Sequence, residues 1–312
     1  MSTLPGSLPV DKATLPLAET LRRKRFDIGQ RAFRWMLAAS LAIAFAVLAL
    51  LVIDVVRDGS PVLTSRLWDF LTSPLSRRAP SAGILQGIQG SFLIAAIIAI
   101  IAFPLGVGSA VYLEEYARDS RVTRFINVNI RNLAGVPSIV YGILGLALFV
   151  QALRGFTGGR SVIAGGLTLA VLVLPIVIIT SQEALRAVPS GIREAAYGVG
   201  ATRWEMVRSH VLPYAAPGIL TGTILSLARG LGETAPLILV GATTGFLATG
   251  DQNFFEKLQG GFTALPMVIF GWSRERPDFR PLAAAAIVAL LVVIFIINAV
   301  AILLRNRYER KW

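Results

Sequence analysis

The sequence predicts an all-α transmembrane protein with six spanning helices. Three observations carry this. Hydrophobic residues make up 54% of the 312 positions and charged residues only 15%, against about 25% charged in a soluble domain. Mean hydropathy is +0.67. Six stretches nearly free of charge are each long enough to cross a bilayer, for which about 20 apolar residues suffice. The net charge of +12 comes almost wholly from arginine, since Lys12, Lys24, Lys257 and Lys311 are the only lysines. In a soluble protein such charge would point to nucleic acid. In a chain this apolar it is read as attraction to membrane lipid headgroups and as topology signals, with no nucleic-acid partner.

Residues 1–34 form an N-terminal tail. Residues 1–20 are read as disordered, and no apolar core of a cleavable signal precedes the basic cluster Arg22-Arg23-Lys24-Arg25. The expected spans are 35–56, 86–112, 130–153, 162–182, 213–242 and 281–304, within a membrane domain over 35–304 that leads to a short tail at 305–312. The lead-in to the second span is a loop marked by Gly83, Gly87 and Gly90. The fifth stretch, 211–250, is interrupted only by Arg229 and Glu233. It fits one long helix, or two turning at Gly230 and Gly232, and the basic tail at 305–311 favours one helix. With six spans, 18 basic residues fall on the side of both termini and 10 on the other, which places both termini in the cytoplasm. Region 246–280 reads as an external loop with one interfacial helix, and Trp272 suits a membrane–water boundary.

Several chemistries are excluded. There is no cysteine and only one histidine, His210, so thiolate and polyhistidine metal sites are impossible. No metal or cofactor is expected. None of the four lysines is followed by Ser or Thr, so the chain carries no phosphate-cradling P-loop of its own. Gly106-Val107-Gly108-Ser109-Ala110 lacks the final glycine of a nucleophile elbow. The chain is read as non-catalytic.

The loop 190–212 reads as two short helices between membrane spans. Ser190 is the expected cap of the first and Gly200 its break or C-cap. Trp204, Val207 and Val211 are expected on one face of the second. Such a knob fits a cytoplasmic partner; the alternative is an amphipathic loop lying on the membrane. Within the fifth stretch, Arg229 and Glu233 are four residues apart and share a helix face. A lone charge in a span costs at least ~2.5–3.5 kcal/mol, so the pair is either a structural brace or a substrate contact. Arg229 would meet an anion bidentately and Glu233 would hold it in place and temper its affinity. Arg131, at the start of the third span, reads as snorkelling to headgroups or as a second, weaker anion contact. Gly135, Pro137 and Gly142 allow bending and close packing there.

Three segments resemble a known family. Glu194-Ala195-Ala196, three residues, Gly200, nine residues and a position two before Leu212-Pro213 resemble the EAA loop of ABC importer permeases, with His210 standing where Ile or Val is usual. Asn132-Leu133-Ala134-Gly135-Val136-Pro137-Ser138-Ile139-Val140-Tyr141-Gly142 is similar to a segment of phosphate-specific (Pst) permeases. So is Ala228-Arg229-Gly230-Leu231-Gly232-Glu233-Thr234-Ala235-Pro236-Leu237, whose ending matches the PstA type. The resemblance implies a six-helix type I ABC importer permease in a bacterial cytoplasmic membrane, with cytoplasmic coupling helices. It implies four kinds of partner: a sister permease of PstC type, an ATPase dimer of PstB type, an external binding protein of PstS type, and inorganic phosphate as the substrate. Glu194, Ala195, Ala196 and Gly200 are then coupling residues; Arg229, Glu233 and, more weakly, Arg131 line the substrate path. Gly135, Pro137, Ser138, Gly142, Thr234 and Pro236 serve a gate or helix packing. A permease for sulfate or molybdate, and a gradient-driven anion transporter, are the alternatives.

Overall fold

The computed structural model describes residues 28–243 and 254–308, all helix, turn or loop. The chain forms two compact units, 1–54 and 55–312. Helix α1 (Ile28–Ser65) begins in the first and ends in the second. From Arg31 to Asp54 every residue is exposed, apolar side chains such as Trp35, Leu41 and Phe45 among them. A helix apolar all round is stable only in an apolar surround, and lipid supplies one. The tail expected to be disordered over 1–20 and the basic cluster at 22–25 lie outside the described residues.

In the second unit α2 (Leu67–Thr72) and a 3-10 turn (Ala79–Ser81) lead to α3 (Leu85–Val111), which continues through a π turn (Tyr112–Tyr116). Then come α4 (Arg121–Ala134), α5 (Ser138–Gly145) with a π turn (Leu146–Ala152), α6 (Arg154–Thr157) and α7 (Val162–Arg186). They are succeeded by α8 (Ser190–Gly198), α9 (Arg203–Met206) with a π turn (Val207–Val211), α10 (Leu212–Gly232) and α11 (Ala235–Leu239). The chain closes with α12 (Phe254–Gln259), α13 (Leu265–Trp272), a 3-10 turn (Pro277–Phe279) and α14 (Arg280–Tyr308). Among the described residues five helices are long and apolar enough to cross a membrane, six if the bent α4–α5 pair counts as one span.

Helix α7 is the centre of this unit, packed against α3, α10, α5 and α4. Lipid tails are as apolar as leucine, so close packing rather than water exclusion holds such helices together, and small residues permit it. A Cβ at Gly106 of α3 would come 2.6 Å from Val177, and one at Gly222 of α10 would come 2.4 Å from Thr180. One apolar cluster joins Ile98, Leu169, Val173, Leu231 and Leu237. A second, around Phe70, Leu265, Trp272 and Phe279, closes one end. A third, around Leu185, Met206, Val207 and Val211, closes the end that carries 190–211.

Three expectations are corrected here. The third span, placed at 130–153 with bending allowed at Gly135, Pro137 and Gly142, is a helix pair over Arg121–Ala134 and Ser138–Ala152 that meets at 101°. Pro137 has no N–H and disfavours helical geometry at Val136, which favours a stop at Ala134. The Tyr141 hydroxyl donates to the Leu133 carbonyl at 2.8 Å, pinning the bend. The single helix placed over 213–242 ends at Gly232, with Glu233 extended at φ −79°, ψ 121°. Pro236 favours the break: a continuous helix would leave the Gly232 carbonyl without an N–H donor and press the proline ring against it. Within region 246–280, read as an external loop with one interfacial helix, α13 packs into the interior of the unit, with Leu265, Val268 and Trp272 buried. Trp272 is 3% exposed, with its ring 5.9 Å from Phe279 and 6.4 Å from Phe70, so it is a core residue and not a boundary anchor. Ser91 helps seat the segment, its hydroxyl accepting from the Leu265 amide at 2.9 Å.

Candidate functional site: a capped hairpin and a charged helix break

The hairpin over 190–211 is built from two interlocked caps. Helix α8 starts directly after Pro189, and Ser190 is its first residue rather than its cap, which corrects the expected role. It ends at Gly198, and the break falls as expected at Gly200, whose φ of +84° only glycine adopts without strain. The Ala201 amide bonds the Ala196 carbonyl and the Gly200 amide the Tyr197 carbonyl, both at 3.0 Å, which is the Schellman pattern. Two residues later Thr202 and Glu205 form a capping box: the Glu205 amide donates to the Thr202 hydroxyl oxygen at 3.3 Å and the Thr202 amide to Glu205 Oε2 at 2.8 Å. The Thr-x-x-Glu spacing is visible in the sequence and announces this start.

The hairpin separates buried from exposed residues. Ala196, Met206, Val207 and Val211 are buried. Glu194, Ala195 and Gly200 are exposed, together with Tyr197, Val199 and Trp204. Trp204 therefore does not share the buried face of Val207 and Val211. The π turn at Val207–Val211 adds a residue to the helical repeat and rotates the start of α10 relative to α9. Three large apolar side chains exposed within eight residues fit an interaction surface. Sequence reasoning missed Tyr197 and Val199 because only the caps orient them.

The second feature is the break between α10 and α11. Arg229 sits in the last turn of α10, where a cation is favoured by the helix dipole. Its Nε lies 3.7 Å from Glu233 Oε1, and the two side chains are 60% and 19% exposed. That separation is long for a hydrogen bond, and among the described residues no other ion pair holds the guanidinium, which is exposed. Beyond the break, Pro236 packs against Gly142 of α5; a Cβ at Gly142 would come 2.8 Å from Pro236 Cα. Thr234 occupies the N-cap position of α11 without a side-chain cap. Ser138 opens α5, and Gly135 and Pro137 form the other break. The structure thus brings Gly142 to Pro236 and Arg229 to Glu233. It does not bring Arg131 to them. Arg131 lines a surface recess along α4 with Asp119, Thr123, Arg124 and Asn127, and among the described residues no hydrogen bond or ion pair joins it to Arg229 or Glu233. No cluster of three acids or histidines fit for a metal occurs among the described residues.

Known proteins resemble this arrangement. Residues 102–311 match the family described as binding-protein-dependent transport system inner membrane component. A probable ABC transporter permease protein of Bacillus subtilis, YqgI, is 33% identical over 274 residues, covering 85% of this chain and 91% of its own. Phosphate transport system permease protein PstA 1 of Mycobacterium tuberculosis is 34% identical over 260 residues, 82% of this chain and 81% of its own. PstA of Yersinia pestis is 34% identical over 250 residues, 79% of each chain. Among solved structures, a chain of the bacterial alginate ABC transporter aligns with TM-score 0.64 at 14% identity, covering 91% of this chain and 96% of that one. A chain of the inward-facing MetNI methionine ABC transporter aligns at 0.54 and 18% identity, covering 79% and 99%. At these identities the solved structures share the fold. With a family match over two thirds of its length and several apolar spans, this multi-pass membrane protein belongs to the inner membrane components of binding-protein-dependent transport systems.

Proposed function

We propose that this chain is the PstA-type permease subunit of an ATP-driven phosphate importer, with both termini in the cytoplasm. Its partners are a sister permease, a pair of ATPase subunits and an external phosphate-binding protein. The observation that carries the reading is an exposed arginine at a helix break, in a chain that also displays a capped, apolar-tipped hairpin. A phosphate crossing the membrane must exchange its water for fixed donors. Arg229 supplies them and stays charged throughout. Glu233, nearby but not tightly bonded, limits how firmly the anion is held, so that it is released. Broken helices are a recurrent way to expose such groups at membrane depth. Glu194, Ala195 and the exposed Tyr197, Val199 and Trp204 form the surface on which an ATPase subunit docks. ATP binding there moves the hairpin and opens the path outward; hydrolysis resets it.

The test is uptake of radiolabelled phosphate by the reconstituted complex in proteoliposomes. The reading expects ATP-dependent uptake that excess unlabelled phosphate suppresses and sulfate or molybdate does not. Uptake driven by an ion gradient without ATP would overturn it. Arg229→Gln should abolish uptake while ATP hydrolysis continues. If the single variants fail to assemble and the swapped pair, Arg229→Glu with Glu233→Arg, restores function, the two residues are a brace instead.

A further inference from the structure

Three consecutive residues at the end of α3 each hold an arginine from the segment that begins and forms the hairpin. Glu114 accepts from Arg186 Nη2 at 2.5 Å and from its Nε at 2.9 Å. Glu115 accepts from Arg193 Nη2 at 2.7 Å and from its Nε at 3.3 Å. The Arg203 guanidinium lies 5.2 Å from the centre of the Tyr116 ring. Arg186 ends α7, Arg193 lies in α8 and Arg203 starts α9. The three holders sit on the π turn Tyr112–Tyr116, closed by the Ala117 amide on the Tyr112 carbonyl at 2.8 Å. Such turns are rare and concentrate at functional positions.

The middle contact is the more buried of the two ion pairs. Glu115 is 5% exposed and Arg193 25%, so the pair is little screened by water. Arg193 also donates to the Leu185 and Val188 carbonyls at 2.9 and 2.8 Å. It thereby caps the end of α7 while gripping α3. Helix α8 otherwise packs chiefly on its own hairpin, against α9 and Val207–Val211. Among the described residues, the side-chain hydrogen bonds that join α8 to the end of α3 are those of Arg193.

We infer that Glu114, Glu115 and Tyr116 form a clasp that transmits hairpin movement into α3 and, through its extensive packing on α7, into the membrane core. This rests on the reading of the hairpin as the ATPase-docking element. The three are positioning residues: they touch no substrate. A clasp makes the hairpin and the end of α3 move as one body, whereas an ordinary packing contact leaves hydrolysis and transport equally affected when it is lost.

The experiment uses the whole complex in proteoliposomes and reads phosphate taken up per ATP hydrolysed. Glu115→Gln and Arg193→Gln should each lower that ratio by roughly tenfold while hydrolysis persists. The swapped pair, Glu115→Arg with Arg193→Glu, should recover part of it. Glu114→Gln, at the more exposed contact, should lower it less. Because the chain has no cysteine, spin labels can be placed at Asp119→Cys and Gly191→Cys, the first strongly exposed and the second facing open space. The distance between them should stay fixed on ATP addition in the otherwise native complex, and should become nucleotide-dependent in Glu115→Gln. A native ratio in Glu115→Gln overturns the inference. So does a label distance that already changes with nucleotide in the native clasp, and this second measurement decides the matter even if the single variants fail to assemble. If the unaltered complex hydrolyses ATP but takes up no phosphate, the functional reading fails, and the label distance still tests the clasp.

Discussion

Replacing Gly200 separates backbone geometry from contact chemistry at the hairpin. Its φ is +84°, and a Cβ there would meet nothing within 4 Å. An alanine therefore adds no clash, and its cost is the left-handed backbone alone, roughly 1–2 kcal/mol. That is a factor of about 5–30 in the population of the capped hairpin. Asparagine tolerates this region better and should cost less. Proline is worse on two counts. Its ring holds φ near −65°, and it removes the amide that bonds Tyr197, which adds about 0.5–1.5 kcal/mol. The expected order of phosphate uptake per ATP hydrolysed is Gly200, then Asn, Ala and Pro, with complex assembly unchanged on size-exclusion chromatography. The Pro variant should be uncoupled almost completely. Normal coupling in the Pro variant would refute the reasoning, and so would an Ala variant as defective as Pro, because that would mean a partner surface touches the added methyl.

Other outcomes rest on the same geometry. Glu194→Lys reverses an exposed charge on the proposed docking surface and should cut uptake at least several-fold with insertion into the membrane intact, as fractionation would show. Thr202→Ala removes the capping box and should destabilise the hairpin by about 1 kcal/mol, seen as faster proteolysis near 200–205; Thr202→Ser should restore it. Gly142→Ala forces a methyl to 2.8 Å from Pro236 Cα and Leu239 Cδ1. Overpacking of this kind costs about 1–3 kcal/mol, so the melting temperature of the purified complex should fall, and an unchanged value would deny the close approach of α5 and α11.

Part of this protein is legible in the order of its residues, and the boundary of that legibility has a physical cause. The apolar spans are set by composition and length, because a bilayer accepts almost any helix that is apolar for about 20 residues. The EAA spacing and the turn at Gly200 are also readable, since a cap is a local arrangement of a few consecutive residues. Proline shows where local reading ends. Pro61, Pro104, Pro175 and Pro217 all lie inside unbroken helices, whereas Pro137 and Pro236 stand at breaks. The residue type is the same, and the neighbours decide: Tyr141 pins one bend, and Gly142 lets the second broken helix pack on the first. Trp272 suits an interfacial anchor by residue type, yet it is core because α13 folds back against Phe70 and Phe279. The clasp is the least legible part, since Glu115 and Arg193 are 78 residues apart and no local pattern pairs them. The sequence alone thus determined the solvent, the approximate span positions and the local caps, each governed by interactions a few residues long. Tertiary packing alone decided which prolines break helices, which aromatics are buried and which distant charges meet, because those depend on neighbours brought together only by the fold.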